Sequence, residues 1–225
     1  MTTEKDALGD SPWRLVVSDM DGTLVTGTTA LAHLGTWIGH ESKIEGLEEK
    51  LGRGEINDRE VAESYAQFYK GVALSDAVEA MSNIPALDDI ALGVAALRHR
   101  SVEVVIATVS WSFAAKGLAD LWGFSDVCGA ELELDRTSER FTGRVAQHFK
   151  PEDKVGFVSE HCRRMGIGME QVVAIGDSRS DLPLFRSVGF SVALNAASDA
   201  RSAANIAIDG NSFLTALRAV PDLLL

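Results

Sequence analysis

Five short apolar runs rich in β-branched residues, Trp13 to Ser18, Val102 to Ala107, Gln171 to Ile175, Phe190 to Leu194 and Ala204 to Ile208, are separated for the most part by helical periodicity. Ile90, Leu92, Val94, Ala95 and Leu97 share a helical face between Asp89 and Arg100. Pro151-Glu152-Asp153 opens a second helix carrying Val155, Phe157, Val158 and Cys162. Such alternation restricts the chain to parallel βαβ units. The expected fold is therefore α/β, a Rossmann-like parallel sheet sandwiched by helices.

From Leu24 to Pro85 the rhythm breaks. Helical patterns occur there without a convincing strand, so residues 25–85 read as an inserted helical cap, leaving 1–24 and 86–225 as a discontinuous core domain. Asn57 caps a helix with Glu60 three residues on and Val61, Ala62, Tyr65, Phe68 and Tyr69 along one stripe. Another helix runs from Leu74 towards Met81. Glu131 to Asp135 and Arg140 to Arg144 flank a polar turn and read as a β-hairpin.

The first apolar run stops at Ser18-Asp19-Met20-Asp21-Gly22-Thr23, so a buried strand delivers two carboxylates at its carboxyl end, the edge at which open α/β sheets bind ligands. Two anions that close repel unless a cation lies between them or one is protonated. An oxygen-seeking metal such as Mg²⁺ fits that requirement. Three further places fall at the same edge: Thr108 and Ser110 after the second run, Lys154 near a helix start, and Gly176-Asp177-Ser178-Arg179-Ser180-Asp181 after the third run. Singly, an Asp at a strand end is a cap or turn former and a lysine a solvated cation. In one topological order they point to a site.

A formal charge of −12 excludes a Lys/Arg-rich face for nucleic acid. No apolar run approaches the roughly 20 residues of a membrane span. Cys128 and Cys162 have neither C-x-x-C nor metal-ligand spacing and read as reduced thiols. Met1 to Pro12 reads as a loose polar tail without a signal-peptide core, and a cytoplasmic protein is expected. Nothing in the chain indicates an oligomeric state.

Asp19-Met20-Asp21-Gly22-Thr23 resembles the D-x-D-G-T signature of the haloacid dehalogenase (HAD) superfamily, with Thr108, Lys154 and Gly176-Asp177-x-x-x-Asp181 where its other motifs stand. The helical insertion resembles the C1 cap of the phosphoserine phosphatase branch. The resemblance implies a Mg²⁺-dependent phosphomonoester hydrolase acting on a small phosphorylated metabolite. Asp19 would be the nucleophile, giving an aspartyl-phosphate, and Asp21 the acid and base. Mg²⁺ would be held by the Asp19 and Asp177 carboxylates and the Asp21 carbonyl, with Asp181 orienting Lys154 or a metal-bound water. Lys154, Thr108, Val109, Ser110 and Ser180 would bind the phosphoryl group. Thr108 ends the apolar run and is the expected hydroxyl; Ser110 is its rival, because Val109-Ser110-Trp111-Ser112-Phe113 resembles the family's V-S-G-G-F. The glutamate and cap arginine that grip phosphoserine in that branch fall on Thr28 and Tyr65, which argues against phosphoserine as the natural substrate. The alternatives are a phosphotransferase or phosphomutase sharing the intermediate and, in another class, a receiver-like phospho-acceptor or a metabolite-binding module.

Overall fold

The computed structural model describes residues 11–224. Most of the expected tail, Met1 to Asp10, lies outside the described residues. A seven-stranded sheet has the order β4-β3-β2-β1-β5-β6-β7, formed by β1 (Leu15–Ser18), β2 (Glu103–Trp111), β3 (Asp126–Asp135), β4 (Arg140–Gln147), β5 (Val172–Gly176), β6 (Phe190–Leu194) and β7 (Ile206–Ile208). All neighbours pair in parallel except β3 with β4. β1 lies between β2 and β5, where the chain changes its direction of travel across the sheet. A crevice opens at the carboxyl ends of strands at such a reversal.

Alternate residues of each strand feed opposite faces. Val16, Val104, Ile106, Val173 and Ile175 enter one buried cluster with α5 (Ile90–His99), α6 (Ser112–Trp122) and α10 (Phe213–Arg218). Leu15, Val17, Val105, Val172 and Ala174 enter the other, beneath α7 (Pro151–Met165), α8 (Leu182–Phe185) and α9 (Ser198–Ala203). Both faces are covered, which is why these strands are uninterrupted apolar runs.

The insertion after β1 forms α1 (Ala30–Trp37), α2 (Glu41–Gly52), α3 (Asp58–Phe68) and α4 (Leu74–Met81). Asn57 and Glu60 close a capping box on α3 as the sequence requires. The chain leaves and re-enters the core side by side: Thr26 N–H donates to Pro85 O, and Leu87 N–H to Leu24 O. A second attachment joins the segment between α3 and α4 to the outer edge of β4. Gly71 N–H donates to Phe141 O, Phe141 N–H to Val72 O and Leu74 N–H to Glu139 O. The Gln67 side chain adds a bond to Gly143 O.

The first and last strands begin two residues later than expected, at Leu15 and Ile206, and two other elements differ more. The second strand, expected to end at Ala107, continues to Trp111, because β-branched Thr108 and Val109 and aromatic Trp111 keep it extended while its register against β3 shifts between Ala107 and Trp111. Thr108 and Ser110 thus belong to β2 rather than following it. The hairpin is also longer than Glu131 to Arg144: β3 begins at Asp126 as a parallel neighbour of β2 and turns antiparallel partner only in its second half. Its first half, Asp126 to Ala130, mixes Asp, Cys and Gly and carries no clear period-two signal.

Candidate active site

Asp19 follows β1 directly, and its N–H donates to Ile175 O of β5, fixing it between the two strands. The chain then turns tightly, with Leu24 and Val25 N–H both donating to Met20 O. Gly22 adopts φ +82°, and a Cβ there would collide with the Asp177 carboxylate. The glycine in this turn therefore answers two demands, a left-handed backbone and the approach of a second acid from β5. Gly176 meets a similar one: a Cβ on it would run into the Asp181 side chain.

Asp19, Asp177 and Asp181 each offer a carboxylate oxygen within 4.8 Å of the others. Lys154, one turn into α7, is fully buried and donates from Nζ to Asp19 Oδ1 at 2.7 Å, to Asp181 Oδ1 at 2.7 Å and to Ser180 Oγ at 3.2 Å. Its three protons are thereby matched to three acceptors. Asp181 accepts again through Oδ2 from the N–H groups of Asp177 and Ser178. With both oxygens so occupied, it shapes the loop and steadies Lys154. Thr23 Oγ1 donates to Asp177 Oδ1 at 3.2 Å, leaving Oδ2 turned towards Gly22.

Asp21 stands apart from this triad. Its Oδ1 accepts from Ala30 N–H, the first amide of α1, at 2.7 Å. One acid thus belongs to the sheet and the other to the insertion. The two hydroxyls at the end of β2 differ likewise: Thr108 Oγ1 accepts from Ser110 N–H at 3.1 Å, whereas Ser110 Oγ is buried beside the Asp21 carboxyl. The Ser110 hydroxyl lies near enough to Asp21 to counter part of that carboxyl's pKa rise. Both hydroxyls keep a proton to donate, and Ser110's is the one beside Asp21.

Burial raises all three acids that border the crevice. Asp19 is pushed well above the carboxylate range by burial, with Asp181 and Asp177 adding to the rise and Lys154 opposing it. Asp177 is raised to about 6 by burial and then by Asp181. Asp21 is raised to about 6 by burial against the pull of Ala30 N–H, Ser110 and Lys154. Burial alone would lower Lys154, but Asp19 and Asp181 outweigh it and hold the ammonium above its ordinary range. Several carboxylates thus converge on one cationic side chain, and this surplus of hard oxygen donors fits a divalent cation such as Mg²⁺.

The model of the family of haloacid dehalogenase-like hydrolases matches residues 16–186, from β1 to α8, and so includes every acid just described. The chain belongs to that family. Among relatives of the HAD family, a phosphoserine phosphatase of Archaeoglobus fulgidus is 29% identical over 81% of this chain and 53% of its own length. One of Polaromonas sp. is 27% identical over 88% of this chain and 86% of its own. The chain thus spans about half of the first relative and most of the second. A solved structure described as the phospho-aspartyl intermediate analogue of phosphoserine phosphatase superposes with a TM-score of 0.77 at 19% identity, covering 92% of this chain and 99% of that one. The α/β fold is that of the phosphoserine-phosphatase-like branch.

Of the residues expected from the sequence, Asp19, Lys154, Asp177, Ser180 and Asp181 meet in one cluster, and Asp21 and Ser110 meet beside it. Thr108 is buried and accepts a local backbone bond, while Val109 is partly exposed. The contributions of Ala30 N–H and Thr23 escaped sequence reasoning; the Thr of D-x-D-G-T was the only signal for the second. Within the insertion, His33 bonds Ala80 O, His40 packs on Phe68, and Tyr65 and Tyr69 are buried. No helix among the described residues is long and apolar enough to cross a membrane.

Proposed function

We propose that the protein hydrolyses a small phosphomonoester through an aspartyl-phosphate on Asp19. The observation that carries this reading is the separation of the two acids: Asp19 is buried against the Lys154 ammonium, and Asp21 is held elsewhere, by an amide of the insertion.

Asp19 attacks phosphorus in line with the ester bond, forming an O–P bond as the bond to the alcohol oxygen breaks. Lys154 keeps Asp19 oriented and offsets charge on the phosphoryl oxygens. The Ser110 hydroxyl, which stands beside Asp21 at the end of β2, donates to one of those oxygens. Asp21, whose pKa near 6 leaves a protonated fraction at neutral pH, gives its proton to the departing alcohol. Its carboxylate then removes a proton from water, which attacks phosphorus, releases inorganic phosphate and restores Asp19. Mg²⁺, held by the carboxylates of Asp19 and Asp177 and the carbonyl of Asp21, would supply further positive charge to the phosphoryl oxygens. Residues 25–85 act as the cap that excludes bulk water from this exchange.

The test is hydrolysis of p-nitrophenyl phosphate with Mg²⁺. Wild type should release phosphate, and Asp19→Asn should retain less than about one part in 10³ of the rate. Undiminished turnover in that variant would remove Asp19 as the nucleophile. Transfer of the phosphoryl group to an added alcohol, in place of free phosphate, would reassign the protein as a phosphotransferase.

A further inference from the structure

We infer that the alcohol released at this site carries no carboxylate or second phosphate, and that Trp111, Tyr69 and Tyr65 form the wall that selects it. The inference rests on the phosphomonoesterase reading and concerns the side of the site beyond Asp21.

That side is aromatic. Tyr69 reaches the same first turn of α1 as Asp21, its hydroxyl bonding Leu31 O next to the Ala30 N–H that holds the carboxylate. Its ring stacks on Tyr65 with centroids 6.3 Å apart, and Trp111, the residue after Ser110, stands edge-on to it at 6.4 Å and 83°. The Tyr69 hydroxyl is already given to Leu31 O at 3.0 Å, so it turns away from a ligand as a donor. All three rings are buried between the insertion and the end of β2.

Positive charge is scarce there. Among the described residues Lys154 is the cation paired with the acids, at 2.7 Å from both Asp19 and Asp181, and its protons are committed to Asp19, Asp181 and Ser180. Three cations of the insertion are engaged elsewhere: Lys43 lies over the Phe68 ring, Arg53 pairs with Glu49 and Glu55, and Arg59 pairs with Glu63, while Lys50 and Lys70 are exposed, Lys70 with its stem against Gly143. On the hairpin, Arg140 donates to Gly71 O. A carboxylate on the leaving group would be desolvated against aromatic rings and the Asp21 carboxyl with no counter-charge, and burying an unpaired anion is strongly unfavourable. The net charge of −12 acts in the same sense at long range. A neutral alcohol with an apolar or aromatic face meets neither penalty.

The experiment compares kcat/KM for esters differing by one carboxylate: phosphoethanolamine against phosphoserine, and phenyl phosphate against 4-carboxyphenyl phosphate. The member lacking the carboxylate should be favoured by about tenfold or more in each pair. Equal turnover within the pairs, or preference for the carboxylated member, overturns the inference while leaving the phosphomonoesterase reading intact. Failure to hydrolyse any of the four, or p-nitrophenyl phosphate, overturns both. Trp111→Leu tests the wall: the ratio of phenyl phosphate to phosphoethanolamine turnover should fall by about fivefold or more. Each ratio is measured on one preparation, so loss of folded protein does not move it, and an unchanged ratio removes Trp111 as a selector.

Discussion

Ala30 N–H donates to Asp21 Oδ1 at 2.7 Å, so the second acid of the D-x-D pair is tied to the first turn of an inserted helix and not to the sheet that carries its neighbour. Ala30 is the first residue of α1, behind the N-cap Thr29. Proline is well tolerated at that position, and Thr29 already has the extended backbone a following proline favours. Ala30→Pro should therefore leave the helix in place while removing the one N–H that holds Asp21, its ring carbon displacing the carboxylate. Turnover of p-nitrophenyl phosphate should fall by about 10- to 100-fold, short of the full worth of an acid–base group, with little change in Tm. Wild-type turnover would show that the tether does not position Asp21.

Removing the buried ammonium is a different kind of injury. In Lys154→Met the carboxylates of Asp19 and Asp181 lose their shared partner, and breaking a buried pair costs about 3–5 kcal/mol. Urea unfolding at neutral pH should register that loss. Lowering the pH towards 5 should return part of it, because protonated carboxyls no longer need the cation.

The two hydroxyls of β2 separate by effect. Ser110→Ala should depress turnover by about tenfold or more, the scale of losing a donor to a developing oxyanion, and cost little stability, because Ser110 Oγ faces the Asp21 carboxyl and holds no backbone group. Thr108→Val should do the reverse: its Oγ1 accepts from Ser110 N–H, so the change costs stability of about 1 kcal/mol with a smaller kinetic effect. Parallel kinetics and thermal unfolding of the two variants decide the assignment.

Asp21 and Asp177 are each raised to about 6 in the folded chain, above their unfolded value. Between about pH 4 and 6 the folded state holds protons that the unfolded chain has released, so stability falls as pH rises through that window. Lys154 is raised too, but its contribution is complete below its unfolded pKa and is lost only in strong alkali, outside this window. Without divalent cation, Tm should be higher at pH 5 than at pH 7.5. Mg²⁺ should raise it more at pH 7.5 than at pH 5, flattening the profile. Asp177→Asn should show a shallower slope and a smaller response to Mg²⁺.

Much of this arrangement was legible because the relevant signals are local. The apolar runs at Leu15, Val172 and Phe190 and the proline at Pro151 fix strands and a helix through periodicity and backbone restriction, and they fall where they were expected. Gly22 and Gly176 announced turns, but the reason for each, an acid arriving from elsewhere in the chain, is a tertiary fact. Local signals left Thr108 and Ser110 as rivals for the same reason. The apolar run was taken to stop at Ala107, whereas partners on β3 carry the strand on to Trp111, and which hydroxyl stands beside Asp21 depends on that extension. The Ala30–Asp21 bond joins residues nine apart through a loop whose shape no periodicity encodes.

The attachment of residues 71–74 to β4 has a bearing on solubility. β4 is the outermost strand at its end of the sheet, and an uncovered border of that kind offers its amides and carbonyls to any passing chain. Here the insertion supplies those partners itself, through Gly71, Val72 and Leu74. Excising the insertion to isolate a minimal catalytic body would therefore strip the guard from that border and leave the remainder prone to strand-mediated self-association.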